Sequence, residues 1–303
     1  MTEFQAAYLK LMDQGELEAR VAEARQMLAE CRLCGRQCAV NRLESASGAA
    51  CRTGERAVVS SFNAHYGEED PLVGEHGSGT IFFANCNLKC QYCQNYEISQ
   101  LGEGREVEAE ELAAMMLHLQ GRGCHNINFV SPTHVIPQIL EGLLIAAQKG
   151  LRLPLVHNTG GYDSLEALRI LDGVIDIYMP DMKYAETAVA ADLSDALDYP
   201  QVNRTAVSEM HRQVGDLVVE NGLAVRGLLV RHLVLPNRLA GSAAVIDFLA
   251  EHVSDRTAIN IMDQYRPCYQ AVRCGPIMRR PRPDEIEEVI DHARQKNLRL
   301  LER

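Results

Sequence analysis

From Gly79 onward, six short apolar runs each lead into a helical stripe, and this alternation constrains the fold of the 303-residue chain more than any other feature. GTIFFANC (79–86) is followed by Leu112, Met115, Met116 and Leu119, spaced i, i+3, i+4, i+7. NINFVSP (126–132) leads into Ile136, Ile139, Leu140 and Leu143, and LPLVHNTG (153–160) into Leu165 and Leu168. VIDIYMPD (174–181) precedes a helical region reaching about Asn221. GLLVRHLVLP (227–236) precedes AVIDFLAEHV, and AINIMDQY (258–265) precedes a helix with Ile286, Val289, Ile290 and Ala293. Strands this continuously apolar are covered on both faces, so their alternation with helices predicts parallel pairing. Repeated right-handed crossovers then give either a curved (β/α)6 partial barrel or a doubly wound sheet.

Residues 2–30 ahead of this core read as helical, with Phe4, Ala7, Tyr8 and Leu11 on a face continued by Leu17, Val21 and Leu28. A compact cysteine-rich stretch runs on to about Arg56, and Gly67, Pro71, Gly74, Gly77 and Gly79 mark the loop that follows. The expected division is therefore an N-terminal extension (1–75), a core (76–265), and a loop and helix packed on the core (266–303). With 47% hydrophobic residues the core is sizeable. A net charge of -11 argues against nucleic-acid binding. Arg279, Arg280 and Arg282 read as a solvated turn ahead of an acidic helix. No apolar run is long enough for a signal peptide or a membrane span, so a cytoplasmic protein without membrane attachment is expected. Ten cysteines in that compartment point to metal or redox work rather than disulfides.

In either fold, ligands gather where parallel strands end. Asn85 and Cys86, Ser131 to His134, Asn158 to Gly161, Asp181 to Lys183, and Asn237 all follow apolar runs, which predicts one pocket built from many strand ends. Cys86, Cys90 and Cys93 place three thiols within eight residues directly after the first core strand. Three thiolates on an iron–sulfur cubane leave one iron open to bind and orient a ligand, whereas four make an electron carrier. A zinc knuckle with a distant fourth ligand is the competing reading, but such knuckles favour Cys-x2-Cys pairs.

At these residues the chain resembles the radical S-adenosylmethionine superfamily, whose signature is Cys-x3-Cys-x2-Cys. GSGTIFFANCNLKCQYCQNYEISQ further resembles the pyruvate formate-lyase activating enzyme-like subfamily, over about residues 31–290. Taken with the alternation, the expected fold is an α/β partial (β/α)6 TIM-like barrel carrying an N-terminal helical, cysteine-rich extension. The resemblance implies a 4Fe–4S cluster whose open iron takes the amino and carboxylate groups of S-adenosylmethionine, and reductive cleavage to a 5′-deoxyadenosyl radical. It implies reduced flavodoxin or ferredoxin as electron donor and a glycyl-radical enzyme as the partner activated. A radical enzyme acting on a small molecule or peptide is the alternative. A non-catalytic iron–sulfur carrier is a third, disfavoured by so many strand-end loops.

The resemblance also places Tyr92 near the adenine, with packing as the plain alternative. Ser131 and Thr133 lie where superfamily members often carry Gly-Gly-Glu, so position transfers and chemistry does not. A helix cap is the favoured reading of Thr133 and His134, with Pro137 in the first turn. Asn158 and Thr159 stand where activating enzymes carry Asp-Thr-Asn-Gly beside a monovalent cation. Met179 and Asp181 would complete that site, while Lys183 would contact the cofactor; a buried Asp181–Lys183 pair supporting a loop is the alternative. Arg231 is expected to reach inward to a carboxylate or ribose, and His232 to pack on the other face.

Cys31, Cys34, Cys38 and Cys51 form a second set whose spacing suits zinc or an auxiliary iron–sulfur cluster equally. The subfamily usually has proline after the second cysteine of this set, where this chain has Gly35. Cys124 is expected to pack. Cys268 and Cys274 fall near the expected pocket mouth as either ordinary or reactive thiols.

Overall fold

The computed structural model describes residues 4–301. Helices α1 (Ala7–Asp13) and α2 (Glu16–Gln26) open the chain. The single helix expected over residues 2–30 is thus two, broken where the chain turns at Gln14 and Gly15; residues 2 and 3 lie outside the described part. The apolar stripe is correct in its essentials, since Tyr8, Leu11, Leu17 and Leu28 are all buried.

The remaining elements are β1 (Ala57–His65), α3 (Asp70–Val73), β2 (Ser78–Phe83), β3 (Arg105–Val107), α4 (Ala109–Gly121), β4 (Ile127–Val130) and α5 (Ile136–Gln148). They continue with β5 (Leu155–Thr159), α6 (Leu165–Leu171), β6 (Ile177–Pro180), α7 (Thr187–Ser194), α8 (Tyr199–Val214), β7 (Val218–Glu220) and β8 (Leu223–Leu233). The chain closes with α9 (Ser242–Phe248), β9 (Ala258–Met262), α10 (Pro283–Gln295) and β10 (Arg299–Leu300). All six apolar runs form strands: β2, β4, β5, β6, β8 and β9. They pair in parallel in that order, and β10 extends the sheet beyond β9. This is the α/β architecture of a partial barrel, with helices on the outer face. Among the described residues no helix is long and apolar enough to cross a membrane.

Two features depart from the expected organisation. β1 falls inside the stretch assigned to the N-terminal extension, yet it pairs antiparallel with β2 and carries β3 on its far edge. The boundary at residue 75 is therefore displaced, because AVVSSFNAH, exposed over its middle four residues, pairs with the core strand β2. The helical region expected up to Asn221 is also divided, into α7, α8 and the short β7. Asp195 ends α7 in a left-handed conformation.

Side chains alternate across the parallel strands. Leu155, Tyr178, Val230 and Ile259 face the main core under the helices, while Val156, Ile177, Met179, Leu229 and Ala258 form a separate inner cluster plugged by Leu72 of α3. That apolar plug fills one end of the barrel. Polar residues one pleat further along each strand face the other end.

Candidate active site

The loop after β2 carries Cys86, Cys90 and Cys93, and it is clipped to the end of α7. Lys89 N–H donates to the Ser194 carbonyl at 3.1 Å and Gln91 N–H to the Leu193 carbonyl at 2.8 Å. The three thiols line one cavity of about 280 Å³, together with Tyr92, Ser131, Asn158, Thr159, Gly160, Asp181, Lys183 and Arg231. A larger cavity, about 560 Å³, lies between α9 and α10 and holds none of these residues, so chemistry rather than size selects the site.

Each thiol has its own hydrogen-bond partner. The Leu88 N–H reaches Cys86 Sγ at 3.5 Å, and the Ser194 hydroxyl donates to Cys90 Sγ at 3.0 Å. Cys93 Sγ lies 3.0 Å from the Ser99 hydroxyl. Ser99 sits on a single π-turn (Glu97–Leu101), a local widening that turns its hydroxyl onto the thiol. Burial pushes the Cys93 thiol up to about 12 and raises Cys86 as well, so a bound cation is needed to deprotonate them at neutral pH. Three thiols, each hydrogen-bonded and facing a common space, fit a cluster that accepts three protein thiolates. Among the described residues no three Cys, His, Asp or Glu side chains are arranged to hold one metal ion. A cubane does not require that arrangement, because each thiolate binds a different iron.

Tyr92 lines the cavity with its ring and is otherwise buried. Its hydroxyl lies 2.6 Å from that of Tyr184, which lies 2.7 Å from the Ser194 hydroxyl, forming a chain that ends on Cys90. Ser131 adopts a left-handed backbone (φ 58°) at the end of β4 and faces the cavity.

Thr133 does neither of the things expected of it. It is buried away from the cavity, and it caps no helix: its hydroxyl donates to Asp163 Oδ1 at 2.8 Å. Thr159 donates to Asp163 Oδ2 at 2.7 Å, and His157 Nε2 lies 3.0 Å from Oδ1. Asp163 thus ties the ends of β4 and β5 together. It was missed because it follows a glycine turn rather than a strand, although it lies only four residues after Thr159. His134 is also no cap. It is buried, with Nε2 3.1 Å from the Ala84 carbonyl.

The expected cation site takes a different form. Arg231 Nε donates to Asp181 Oδ1 at 2.9 Å, and its NH2 group donates to Asn158 Oδ1 at 2.7 Å. Lys183 Nζ donates to Asp181 Oδ2 at 2.5 Å. Both Asp181 oxygens therefore already face fixed cations, and Thr159 is committed to Asp163. Met179 is buried in the inner apolar cluster beneath, because the pleat points it toward Val156 and Leu229. Among the residues expected to hold a monovalent cation, Asn158 and Asp181 are bridged by the Arg231 guanidinium. Burial disfavours every charge here, but each has an opposite partner. Desolvation would raise Asp181, yet Arg231 and Lys183 hold it below the usual carboxylate range, and Asp181 likewise keeps Lys183 protonated against burial.

Register explains the meeting. Arg231 bridges Asp181 on one side and pairs with Asn260 of β9 on the other. His232 alternates outward as expected, with Nδ1 2.6 Å from the Met182 carbonyl and Nε2 2.8 Å from Ser242. The loop holding Asp181 is pinned from below, where Tyr199 Oη and Asn203 Nδ2 both donate to its carbonyl at 3.0 and 2.9 Å. Gly161 (φ 73°) makes this approach possible, since a Cβ there would collide with Asn203 and the Asp181 carbonyl.

Beyond Arg231, Met262 and Gln264 a second cavity of about 470 Å³ opens, lined also by Glu68, Glu69, Asp70 and Asn260. Glu68 is 8% exposed and 3.8 Å from Arg231. Burial, opposed by Arg231, raises its carboxyl to about 7. No sequence signal marked it, because it sits in a glycine-flanked loop.

The N-terminal cysteines dock beside this site. Gly35 N–H donates to the Tyr162 carbonyl at 3.1 Å, and Cys34 forms a β-bridge with Asp163. The Tyr162 ring lies directly on Gly35, so a Cβ there would overlap it. Cys31, Cys34 and Cys51 are buried and Cys38 half-buried. Cys124 packs in the main core. The Cys268 thiol donates to the Tyr92 carbonyl at 3.3 Å behind the cavity wall, and Cys274 packs partly buried nearby.

Residues 80–238 match the model of the radical SAM superfamily. An uncharacterized protein of Methanocaldococcus jannaschii is 32% identical over 297 residues, covering 94% of this chain and 80% of the relative. Among solved structures, Streptococcus suis SuiB bound to its precursor peptide SuiA is 13% identical with a TM-score of 0.49, over 71% of this chain and 46% of SuiB. This chain thus spans about half the length of SuiB. A radical SAM methyltransferase from Sphaerobacter thermophilus is 13% identical with a TM-score of 0.46, over 73% of this chain and 65% of that one. With the family model covering more than half of its length, the chain belongs to the radical S-adenosylmethionine superfamily.

Proposed function

We propose that this radical SAM enzyme abstracts hydrogen from a small molecule or peptide side chain that enters through the polar cavity beyond Arg231. Membership of the superfamily implies a 4Fe–4S cluster and S-adenosylmethionine, which together supply one-electron cleavage of the sulfonium and a hydrogen-abstracting 5′-deoxyadenosyl radical. Cys86, Cys90 and Cys93 are the residues that would hold the cluster. Ser131, Asn158 and Lys183 share the cavity with them and would hold S-adenosylmethionine. Tyr92 and the apolar wall around it exclude water from the reacting centre.

The observation that carries this reading is that the thiol-lined cavity adjoins a second one, the two sharing Arg231, Met262 and Gln264 in their walls. A volume of about 470 Å³ is in the range of small-ligand sites. Its lining of Glu68, Glu69, Asn260 and Arg231 favours a polar group.

A second reading is glycyl-radical activation of a partner enzyme, supported by kinship of the Met179-Pro180-Asp181-Met182-Lys183 loop with activating enzymes. Reduced flavodoxin or ferredoxin is the proposed donor for either. Anaerobic reconstitution followed by reduction in the presence of S-adenosylmethionine should yield 5′-deoxyadenosine. Yield no higher than that of Cys86→Ala would remove both readings. A glycine-centred electron paramagnetic resonance signal on an added glycyl-radical enzyme would select the second over the first.

A further inference from the structure

Behind the cysteine wall, hydroxyls from three separate elements form one unbranched chain. Tyr92 Oη, in the cysteine loop, lies 2.6 Å from Tyr184 Oη, in the loop after β6. Tyr184 Oη lies 2.7 Å from Ser194 Oγ at the end of α7, and Ser194 donates to Cys90 Sγ at 3.0 Å. All four side chains are buried. Among the described residues neither Tyr92 nor Tyr184 has a hydrogen-bond partner outside this chain. The tyrosines packed edge-on against them are committed elsewhere. Tyr199, 5.5 Å from the Tyr184 ring, donates to the Gly160 and Asp181 carbonyls, and Tyr265, 5.7 Å from the Tyr92 ring, donates to the Ile277 carbonyl at 2.7 Å.

The direction of every bond in the chain follows from counting hydrogens. A hydroxyl has one hydrogen to donate. A thiolate has none, so Cys90 as a cluster ligand only accepts, and Ser194 spends its hydrogen on Sγ. Ser194 then accepts from Tyr184, and Tyr184 accepts from Tyr92. All three hydrogens point toward Cys90. A chain that runs one way strengthens each of its bonds, by about 10–30% per bond. It also removes a competitor, because a serine in a helix readily turns its hydrogen to a carbonyl one turn back. With the Tyr184 hydroxyl donating to Ser194 Oγ, the serine hydrogen is held on the sulfur. Phenylalanine would pack equally well at either tyrosine and supply none of this.

We infer that Tyr184 and Tyr92 are positioning residues for the cluster: acting through Ser194, they hold its hydroxyl hydrogen on Cys90 Sγ and raise the potential at which the cluster takes up its electron. Hydrogen bonds to a ligand sulfur favour the more electron-rich reduced state. No bond in the chain breaks and no proton leaves it. The inference rests on the reading of Cys86, Cys90 and Cys93 as cluster ligands.

The test is a redox titration followed by electron paramagnetic resonance on full-length protein reconstituted anaerobically with iron and sulfide. The relevant signal is the one that shifts on adding S-adenosylmethionine. Tyr184→Phe should move its midpoint to a more negative potential, and Tyr92→Phe should move it the same way by less. Tyr265→Phe, which keeps the ring contact and lies outside the chain, should leave it in place. Combining Tyr184→Phe with Ser194→Ala should give the potential of Ser194→Ala alone, since the tyrosine has no other route to the sulfur. An unshifted midpoint in Tyr184→Phe overturns the inference, and so does a double variant whose shift is the sum of the two single ones. Should Tyr184→Phe assemble no cluster, Tyr92→Phe with and without Ser194→Ala decides by the same two criteria. A wild type with no signal that responds to S-adenosylmethionine removes the cluster reading itself, whereas a normal signal with unshifted variants removes this inference alone.

Discussion

Arg231 Nε and Asp181 Oδ1 meet at 2.9 Å inside the barrel, joining β8 to the loop after β6 with a charge pair that the parallel register places side by side. The same arginine reaches Asn158, and the same aspartate reaches Lys183. This closed network sets the polarity of the wall facing the cysteines.

Because a fixed guanidinium already lies between Asn158 and Asp181, the rate of 5′-deoxyadenosine formation should be the same in potassium, sodium or a bulky organic cation. Assays in matched buffers at constant ionic strength check this. Strict dependence on one small cation would show that Arg231 leaves the position during catalysis.

Asp181→Asn should destabilise the fold by about 3–5 kcal/mol, because it takes the closest carboxylate from two largely buried cations and leaves Arg231 with Glu68 alone at 3.8 Å. Chemical denaturation of the metal-free protein measures this. Loss of under about 1 kcal/mol would mean that water, rather than Asp181, stabilises Arg231 and Lys183.

Glu68 offers a pH test. Its folded carboxyl is raised to about 7, chiefly by burial, from an ordinary value of 4.5. The folded state therefore holds a proton that the unfolded chain has lost, and stability from this residue falls as pH rises from about 4.5 to about 7. Glu68→Gln mimics the protonated form. It should be near neutral at pH 4.5 and stabilising by about 2–3 kcal/mol at pH 8, measured by urea unfolding at both. The same difference at both pH values would contradict the assignment.

Ser194→Ala removes the hydroxyl that donates to Cys90 Sγ. Hydrogen bonds to ligand sulfur favour the more electron-rich reduced cluster, so the variant should show a more negative potential and slower cleavage under limiting reductant. Redox titration followed by electron paramagnetic resonance reads the shift directly. Excess strong reductant should restore much of the rate.

Much of the scaffold was legible in the residues. The six apolar runs became the six successive parallel strands because a strand covered on both faces reads as a largely apolar run. Edge elements were less legible. β1 carries a polar, exposed middle (Ser60 to Asn63) and so resembles a loop, while β3, β7 and β10 have at most three residues and leave no periodic signal. Thr133 shows a different limit: a threonine before a helix satisfies the rule for a cap, but a buried carboxylate 30 residues later accepts its hydroxyl instead.

The chain by itself determined the three-cysteine motif, the alternation of strands with helices and the strand-end placement of polar residues, since local spacing and pleat suffice for each; the order of the strands in the sheet came from the structure. Tertiary structure decided which of those polar residues face the thiols and which serve the frame. Met179 turned inward to the apolar plug, Thr159 turned to Asp163, and Arg231 took the place expected of a bound cation. Those outcomes depend on register between strands about 20 to 70 residues apart and on the cost of leaving a buried charge unpaired, neither of which local spacing encodes.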